Sequence, residues 1–550
     1  MRSRYGRYGA GSECAPANVD RMRDGFGRAT GVSGMDQRDQ ENYAAQALAV
    51  FDGFGTAEAI VYGARRITYA ELAAGIRDMA ATLYEHGVRS SSAVAVLAGN
   101  PPESVQVQFA LHLLGCRSVW LAPNAPPALC ADYLGLAGAD AFVYDARTHG
   151  PLGEQLAYGA GELGVFCFGT GSGPDLSAPR LPGAAQLGLP PSIREPQSLF
   201  QTGGTTGRPK LVHHRHTFFK AVQAVAASYQ VTDGRPLRHL AVGGFWHSSQ
   251  QVAAMITLFT GGVLVLHDRF HPEDFLATLE QERITSATLP PPMLYQVLDH
   301  PRLPKTDTSS LLTLSCAGSA AAPSRLAEAI ERFGPVLRPV YGMSEATFIA
   351  AYPNLAHDPA HPERLGSCGR PYPGVRVEIR GGDGTPLPAG EVGEVWVRAA
   401  LMTSGYWGQA ELTARTIVDG WLRTGDLGRF DDGGYLFLVD RLKDMIVTGQ
   451  TSTNVYSRTV EDTLLRHPQV RAAAVIGVPH DAMGEAVYAF VVPAPDAQVT
   501  PTQLRQWAVA ELNELWAPYA VEFVHDLPLT DVGKIDKKAL RARRTATATG

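Results

Sequence analysis

Cysteine is scarce and scattered in this 550-residue chain: Cys14, Cys116, Cys130, Cys167, Cys316 and Cys368 form no CxxC pair. Neither a zinc site nor a disulfide framework is indicated, and a reducing, cytoplasmic setting fits. Long apolar runs are missing too. The longest, Val252 to Leu266, is interrupted by Gly261-Gly262 and falls short of a membrane span, so it reads as a buried helix followed by a strand and no membrane partner is expected. Positive charge is not in excess: the net charge is -6, which gives no electrostatic case for nucleic acid or anionic lipid. Residues 1–35, rich in Arg, Gly and Ser, lack the apolar stretch of a signal peptide and read as a disordered leader, with Met22 or Met35 as alternative starts.

Hydrophobic residues at 45% and charged residues at 19% are ordinary for a globular protein, and the length calls for a large domain plus at least one smaller unit. From Ile67 helical and strand patterns alternate. Leu72, Ile76, Met79 and Leu83 share one helical face before Gly87, and a strand follows at Ala93 to Leu97. Apolar runs at Ser118 to Leu121, Ala141 to Tyr144, Gly262 to Leu266, Ser286 to Leu289 and Leu311 to Ser315, with a helix at Ser324 to Phe333, predict a layered α/β domain. After Gly374 the texture turns to short strands, Val375 to Ile379, Glu394 to Val397 and Tyr435 to Leu438, which predicts a β-rich subdomain. From about Arg441 a smaller α+β unit follows, with strands at Ala472 to Val478 and Ala486 to Val492 and a helix around Leu504 to Leu515.

The segment Gln201-Thr-Gly-Gly-Thr-Thr-Gly-Arg-Pro-Lys210 follows the apolar Ser198-Leu199-Phe200, which places it at the end of a strand. Gly203, Gly204 and Gly207 let the backbone approach a ligand, Thr202, Thr205 and Thr206 supply hydroxyls, and Lys210 supplies positive charge, a combination suited to phosphate. It is not a Walker A loop, since Pro209 precedes the lysine and no Ser or Thr follows it. Taken alone, such a loop is more often a plain surface turn.

Four further segments follow in order: Tyr341-Gly-Met-Ser-Glu345, Trp421-Leu-Arg-Thr-Gly-Asp426-Leu, Asp440-Arg-Leu-Lys-Asp444, and Pro528-Leu-Thr-Asp-Val-Gly-Lys534-Ile-Asp-Lys537. Together, over about Ile67 to Leu540, the five resemble the motifs of the adenylate-forming superfamily of acyl-CoA synthetases, peptide-synthetase adenylation domains and firefly luciferase. The resemblance implies a large domain over 36–440 that binds ATP and acid, a hinge at Lys443, and a mobile small domain over 441–545 carrying the catalytic lysine. It implies ATP and Mg2+ as cofactors and CoA or pantetheine as acceptor. The Gly/Thr loop and Lys210 would hold the β- and γ-phosphates, with Thr205 close to the chemistry, while Glu345 would bind magnesium. Tyr341, beside Gly342, would stack on adenine near Gly318 and Ser319; Asp426 would accept from the ribose hydroxyls and Arg441 would donate to the same nucleotide. Lys534 would bridge the substrate carboxylate and the α-phosphate. Outside that motif, Lys534 would read as one more solvated lysine in a basic tail with Lys537 and Lys538.

The acid pocket is expected to draw on Trp246, His247, Ser248, Gly318, Met343 and Ser344. Trp246-His247-Ser248 stands where α-amino-acid-selecting relatives carry an aspartate and resembles acyl and aryl ligases instead; His247 reads equally as a packed, hydrogen-bonded residue. The polar Ser248, Ser249, Gln250 and Gln251 favour a small aromatic or polar acid over a plain fatty chain. Two departures stand out. The phosphate loop has Gly203 where Ser is usual and Leu211 where Gly is usual. The stretch Val447 to Ser457, which in the family lines a pantetheine tunnel, is about two residues longer than usual and ends in Ser457 rather than Pro.

The function these residues imply is ATP-dependent activation of a small carboxylic acid as acyl-AMP, then transfer to a thiol of CoA or of a carrier protein. Alternatives are an unusual acid such as nitrite, an amine acceptor, or an inactive relative with a binding role. Two other readings are weaker: Gly342-Met-Ser-Glu-Ala346 misses the final glycine of a hydrolase elbow, and His213-His-Arg-His216 reads as a polar loop rather than a metal cluster.

Overall fold

Alternating strand and helix patterns become four sheets in the computed structural model, which describes residues 42–159, 161, 163–178, 195–202, 210–228, 235–352, 361–448, 453–480, 483–530 and 534–548. The leader over 1–35 lies outside these residues. The helix with the Leu72, Ile76, Met79, Leu83 face spans Tyr69–Glu85, and all four side chains are buried. It starts where it does because Thr68 and Glu71 form a capping box, satisfying two backbone donors the first turn would otherwise leave open.

The first sheet orders its strands Gly164–Phe168, Ala141–Asp145, Ala93–Leu97, Arg117–Leu121, Gln197–Thr202 and Lys210–His214. All pairs are parallel except the last, an antiparallel hairpin that registers Thr202 opposite Lys210. Ala93–Leu97 is buried at every position, as a parallel strand covered on both faces requires. The second sheet has nine strands among the described residues, with Ser286–Leu289, Thr313–Ala317 and Leu337–Met343 parallel and Ala346–Ala351 folding back antiparallel. The run Val252 to Leu266 splits as expected into the helix Ser248–Phe259 and the strand Val263–Leu266. The strand expected at Leu311 begins two residues later, because Leu311 closes a turn onto Thr308 and drops into the core.

The β-rich region is an antiparallel sheet of Arg376–Arg380, Gly393–Arg398, Trp421–Phe430, Ile417–Val418 and Leu436–Arg441. The last sheet, built on the long pair Val470–His480 and Gly484–Pro493, has its own core of Val475, Val487, Ala489, Val491, Leu464 and Leu504. Its helix ends at Glu511 rather than Leu515: the Asn513 side chain accepts from the Leu515 and Trp516 amides and sets a turn in place of another helical one. The architecture is α/β, a large N-terminal part of parallel and mixed sheets with a β-rich subdomain, then a small α+β C-terminal part. Among the described residues no helix is long and apolar enough to cross a membrane.

One backbone approach fixes the hairpin Leu337–Ala351. A Cβ on Gly342 would lie 2.0 Å from the Thr347 carbonyl oxygen, so only glycine lets the two strands close over the turn that carries Ser344 and Glu345. Gly342→Ala is expected to destabilise the protein by about 1–3 kcal/mol, the usual cost of forced overpacking. Urea denaturation measures it, and a variant as stable as the parent would show that the hairpin has room to spare.

Candidate active site

Asp426 lies on the strand Trp421–Phe430 opposite Arg441, the last residue of Leu436–Arg441. The side chains meet as well: Arg441 Nε is 3.0 Å from Asp426 Oδ1. Tyr341, at the end of its strand in the nine-stranded sheet, donates its hydroxyl to Asp426 Oδ2 at 2.6 Å. Burial and the Asp426 charge hold the Tyr341 hydroxyl protonated far above its ordinary range, so it acts as a donor only. Gly318 and Ser319 are exposed just beyond Thr313–Ala317, whose Ala317 pairs with Val340 beside Tyr341. Tyr341, Gly318 and Ser319 thus lie at the ends of two adjacent strands of the nine-stranded sheet, and Asp426 and Arg441 meet Tyr341 from the antiparallel sheet.

Lys534 reaches the same place from the far end of the chain. Leu529 pairs with Ile535, Thr530 N–H donates to the Lys534 carbonyl at 2.6 Å, and the Lys534 amide donates to Thr530 Oγ1 at 3.2 Å. Burial lowers the Lys534 ammonium below the ordinary lysine range, Arg441 and Lys443 push the same way, and Asp426 and Glu345 oppose them. Lys537 is no solvated tail residue: its ammonium is 2.8 Å from Glu461 Oε1 and donates to Ser457 Oγ at 2.6 Å. Ser457 in turn donates its amide and its hydroxyl to Asp440. Proline at 457 could not supply that amide proton, so Ser457 adds a tie between the strand Leu436–Arg441 and the helix Ser457–Leu465.

Glu345 is buried at the turn after Tyr341. Its Oε1 accepts the Tyr406 hydroxyl at 2.9 Å. Of the phosphate loop, Thr202 and Lys210 are placed as the facing ends of a hairpin, while Gly203, Gly204, Thr205, Thr206 and Gly207 lie outside the described residues. The loop's outgoing strand is bound to the Glu345 turn, since one ring nitrogen of His214, Nε2, meets the Ser344 carbonyl at 2.9 Å. Burial pushes His214 down to about 3, so the neutral ring donates here.

On the acid side, His247 stands at the N-cap of Ser248–Phe259 against Trp246, with ring centroids 5.6 Å apart. Burial, helped by the Lys534 charge, pushes His247 down to about 4, so it is a neutral imidazole near neutral pH. Ser248 is buried behind it. Met343 is half-buried in the Tyr341 hairpin. Trp246 also lines a cleft of about 1060 Å³ between the two large sheets, with His149, Asp268 and Asp274.

One sequence reading changes. His213, His214 and His216 are not a polar loop: the first two lie buried in Lys210–His214 and the third opens a helix. Each has its own partner, Gln197 Oε1, the Ser344 carbonyl and the Tyr43 amide, because a strand sends alternate side chains to opposite faces. Ser344 sits in an antiparallel hairpin, not the strand-to-helix turn a hydrolase elbow needs. Tyr406 escaped the sequence reading; it is one of 19 tyrosines, and 61 positions separate it from Glu345, so no spacing links them.

Residues 49–407 match the AMP-binding enzyme family and residues 459–534 match the AMP-binding enzyme C-terminal domain. The chain is 35% identical over 511 residues to the medium/long-chain-fatty-acid--CoA ligase FadD8 of Mycobacterium tuberculosis, covering 88% of this chain and 86% of that protein. It is 35% identical over 495 residues to a feruloyl-CoA synthase of Amycolatopsis sp, covering 88% and 96%. Among solved structures it resembles the amide bond synthetase McbA of Marinactinospora thermotolerans, at 38% identity and a TM-score of 0.82 over 91% of this chain and 99% of that one.

Tyr341→Phe removes one donor from a buried carboxylate and is expected to lower stability by about 1.5–3 kcal/mol, the range for hydrogen bonds to charged groups. Chemical denaturation tests this. An unchanged midpoint would show that Arg441 alone suffices to hold Asp426.

Proposed function

The chain belongs to the AMP-binding enzyme family and is an AMP-forming acid ligase, and from that premise we propose the chemistry of its site. A carboxylate oxygen of a small aromatic or polar acid attacks the α-phosphorus of ATP, the bond from that phosphorus to the bridging oxygen breaks, and pyrophosphate leaves acyl-AMP behind. A thiolate, of CoA or of carrier-protein pantetheine, then attacks the acyl carbon and AMP departs. Such a reaction asks the protein for positioning and charge neutralisation above all. The observation that carries the reading is the convergence of Lys534 with Asp426, Arg441, Glu345 and His247, five groups drawn from five separate stretches of chain.

In this reading Lys534 holds its proton and stabilises the charge that builds between carboxylate and α-phosphate. Asp426 accepts from the ribose hydroxyls, and Tyr341, Gly318 and Ser319 border the adenine. Thr202 and Lys210 frame the loop, including Gly203 to Gly207, that cradles the β- and γ-phosphates. Magnesium fits Glu345, a buried carboxylate held by Tyr406 through Oε1, since Mg2+ is commonly held by one or two carboxylates with phosphates and water. Bound there, it would neutralise the departing pyrophosphate. The acid lies against Trp246, His247, Ser248, Met343 and Ser344, where a neutral His247 and no carboxylate offer little to the ammonium of an α-amino acid. The small domain, 441–545, turns about Lys443 to bring in the acceptor; Lys443 is exposed in the turn Arg441 to Met445, outside any strand pairing. A cytoplasmic setting belongs to the same reading. Transfer to an amine is a second reading, favoured by the likeness to the McbA amide bond synthetase.

Pyrophosphate release across a panel of carboxylic acids, α-amino acids and nitrite tests the first half, and mass spectrometry of products formed with CoA or an amine tests the second. Lys534→Ala is expected to slow acid-dependent release by roughly a hundredfold or more, in line with the loss of one preorganised donor. Near-normal release would remove Lys534 from the mechanism, and brisk turnover of an α-amino acid would overturn the pocket assignment.

The lowered Lys534 ammonium also sets a pH dependence. Only the protonated form stabilises the developing charge, so kcat/KM, which reports the free enzyme, should fall with rising pH at a point below the ordinary lysine value of 10.5. Lys534→Arg should abolish that limb even if the rate is lower. A limb unmoved by this change would belong to another group.

A further inference from the structure

The segment Leu401 to Trp407 joins the two halves of the phosphate-binding apparatus. At one end Met402 bridges to Ala346 and the Thr403 amide donates to the Glu345 carbonyl at 2.7 Å. At the other end Tyr406 bridges to Val212, and the His213 and Trp407 amides bond across to Gly405 and Leu211, each at 2.9 Å. The segment therefore bridges, through two isolated β-bridges, the arm leaving the phosphate loop and the turn that carries Glu345. Tyr406 occupies the centre of this bridge with both parts of its side chain engaged. Its hydroxyl donates to Glu345 Oε1 at 2.9 Å, and its ring lies 5.6 Å from the Lys210 ammonium, within cation–π range.

We propose that Tyr406 is the positioning residue that couples the metal carboxylate Glu345 to the triphosphate lysine Lys210, by the hydrogen bond to one and the ring face offered to the other. A glutamate with three free torsions loses rotamer freedom when it takes up a ligand, and a neutral donor on one oxygen removes part of that loss beforehand. The same tyrosine places its ring under the ammonium, so the cation-binding and phosphate-binding groups move as one body. The inference rests on the reading of Glu345 as the magnesium carboxylate and goes beyond it by naming what holds that carboxylate in place.

The test uses full-length protein in the Lys534→Ala background, where turnover is suppressed and binding is read directly. Mn2+ is titrated by electron paramagnetic resonance in the presence of ATP, and metal-free ATP is titrated by calorimetry. Tyr406→Phe is expected to weaken Mn2+ about tenfold, the effect of losing one hydrogen bond to a charged group, with little change in metal-free ATP. Tyr406→Leu should weaken both, because Lys210 loses its ring. Adding Tyr406→Phe to Glu345→Gln should weaken Mn2+ no further, since the two residues act as one unit. If Glu345→Gln leaves Mn2+ binding intact, the metal reading of Glu345 falls. If Glu345→Gln weakens it and Tyr406→Phe does not, or if the two effects simply add, the proposal for Tyr406 falls while the metal reading stands.

Discussion

Asp426 is the point on which the site hangs. It receives the Tyr341 hydroxyl from the nine-stranded sheet and the Arg441 guanidinium from its own antiparallel sheet, and Arg441 is the last strand residue before the chain turns towards the small C-terminal domain. One carboxylate therefore fixes the distance between two sheets and the direction in which the hinge begins. Buried with so little exposure, it would be costly as an unpaired charge; paired on both oxygens it is a rigid corner. Its remaining lone pairs are what a nucleotide would use.

The charges around Lys534 follow from that corner. Arg441 and Lys443 repel the ammonium while Asp426 and Glu345 attract it, and burial tips the sum towards the neutral form. An incoming triphosphate and carboxylate would reverse the balance, because each adds negative charge close to the lysine. The site is thus short of negative charge before the substrates arrive, a condition that favours anions strongly in a low-dielectric cleft. The tie from Lys537 through Glu461 and Ser457 to Asp440 holds the chain just after Lys534 against the strand Leu436–Arg441.

Three histidines illustrate how a local pattern misleads. In sequence they look like a polar cluster next to a phosphate loop; in the fold, strand alternation and the start of a helix separate them, and each becomes a buried neutral ring committed to one partner. His214 is the consequential one, because its contact with Ser344 makes the phosphate-loop arm and the Glu345 turn a single body. The segment Leu401 to Trp407, with its two isolated β-bridges, adds a second tie between the same two elements, so their relative placement is determined twice over.

By itself the sequence determined the layered α/β class and most strand positions to within two residues, because periodicity is a local property, and its motif chemistry singled out Lys534, Asp426, Arg441, Tyr341 and Glu345 as the candidates for a site. Tertiary structure alone decided which of these groups touch. That Tyr341 spends its hydroxyl on Asp426, that Tyr406 binds Glu345, and that Ser457 donates to Asp440 depends on how sheets stack and strands register. A period of two or 3.6 tells which face a side chain shares, but not what lies across from it once the chain has folded back over tens or hundreds of residues.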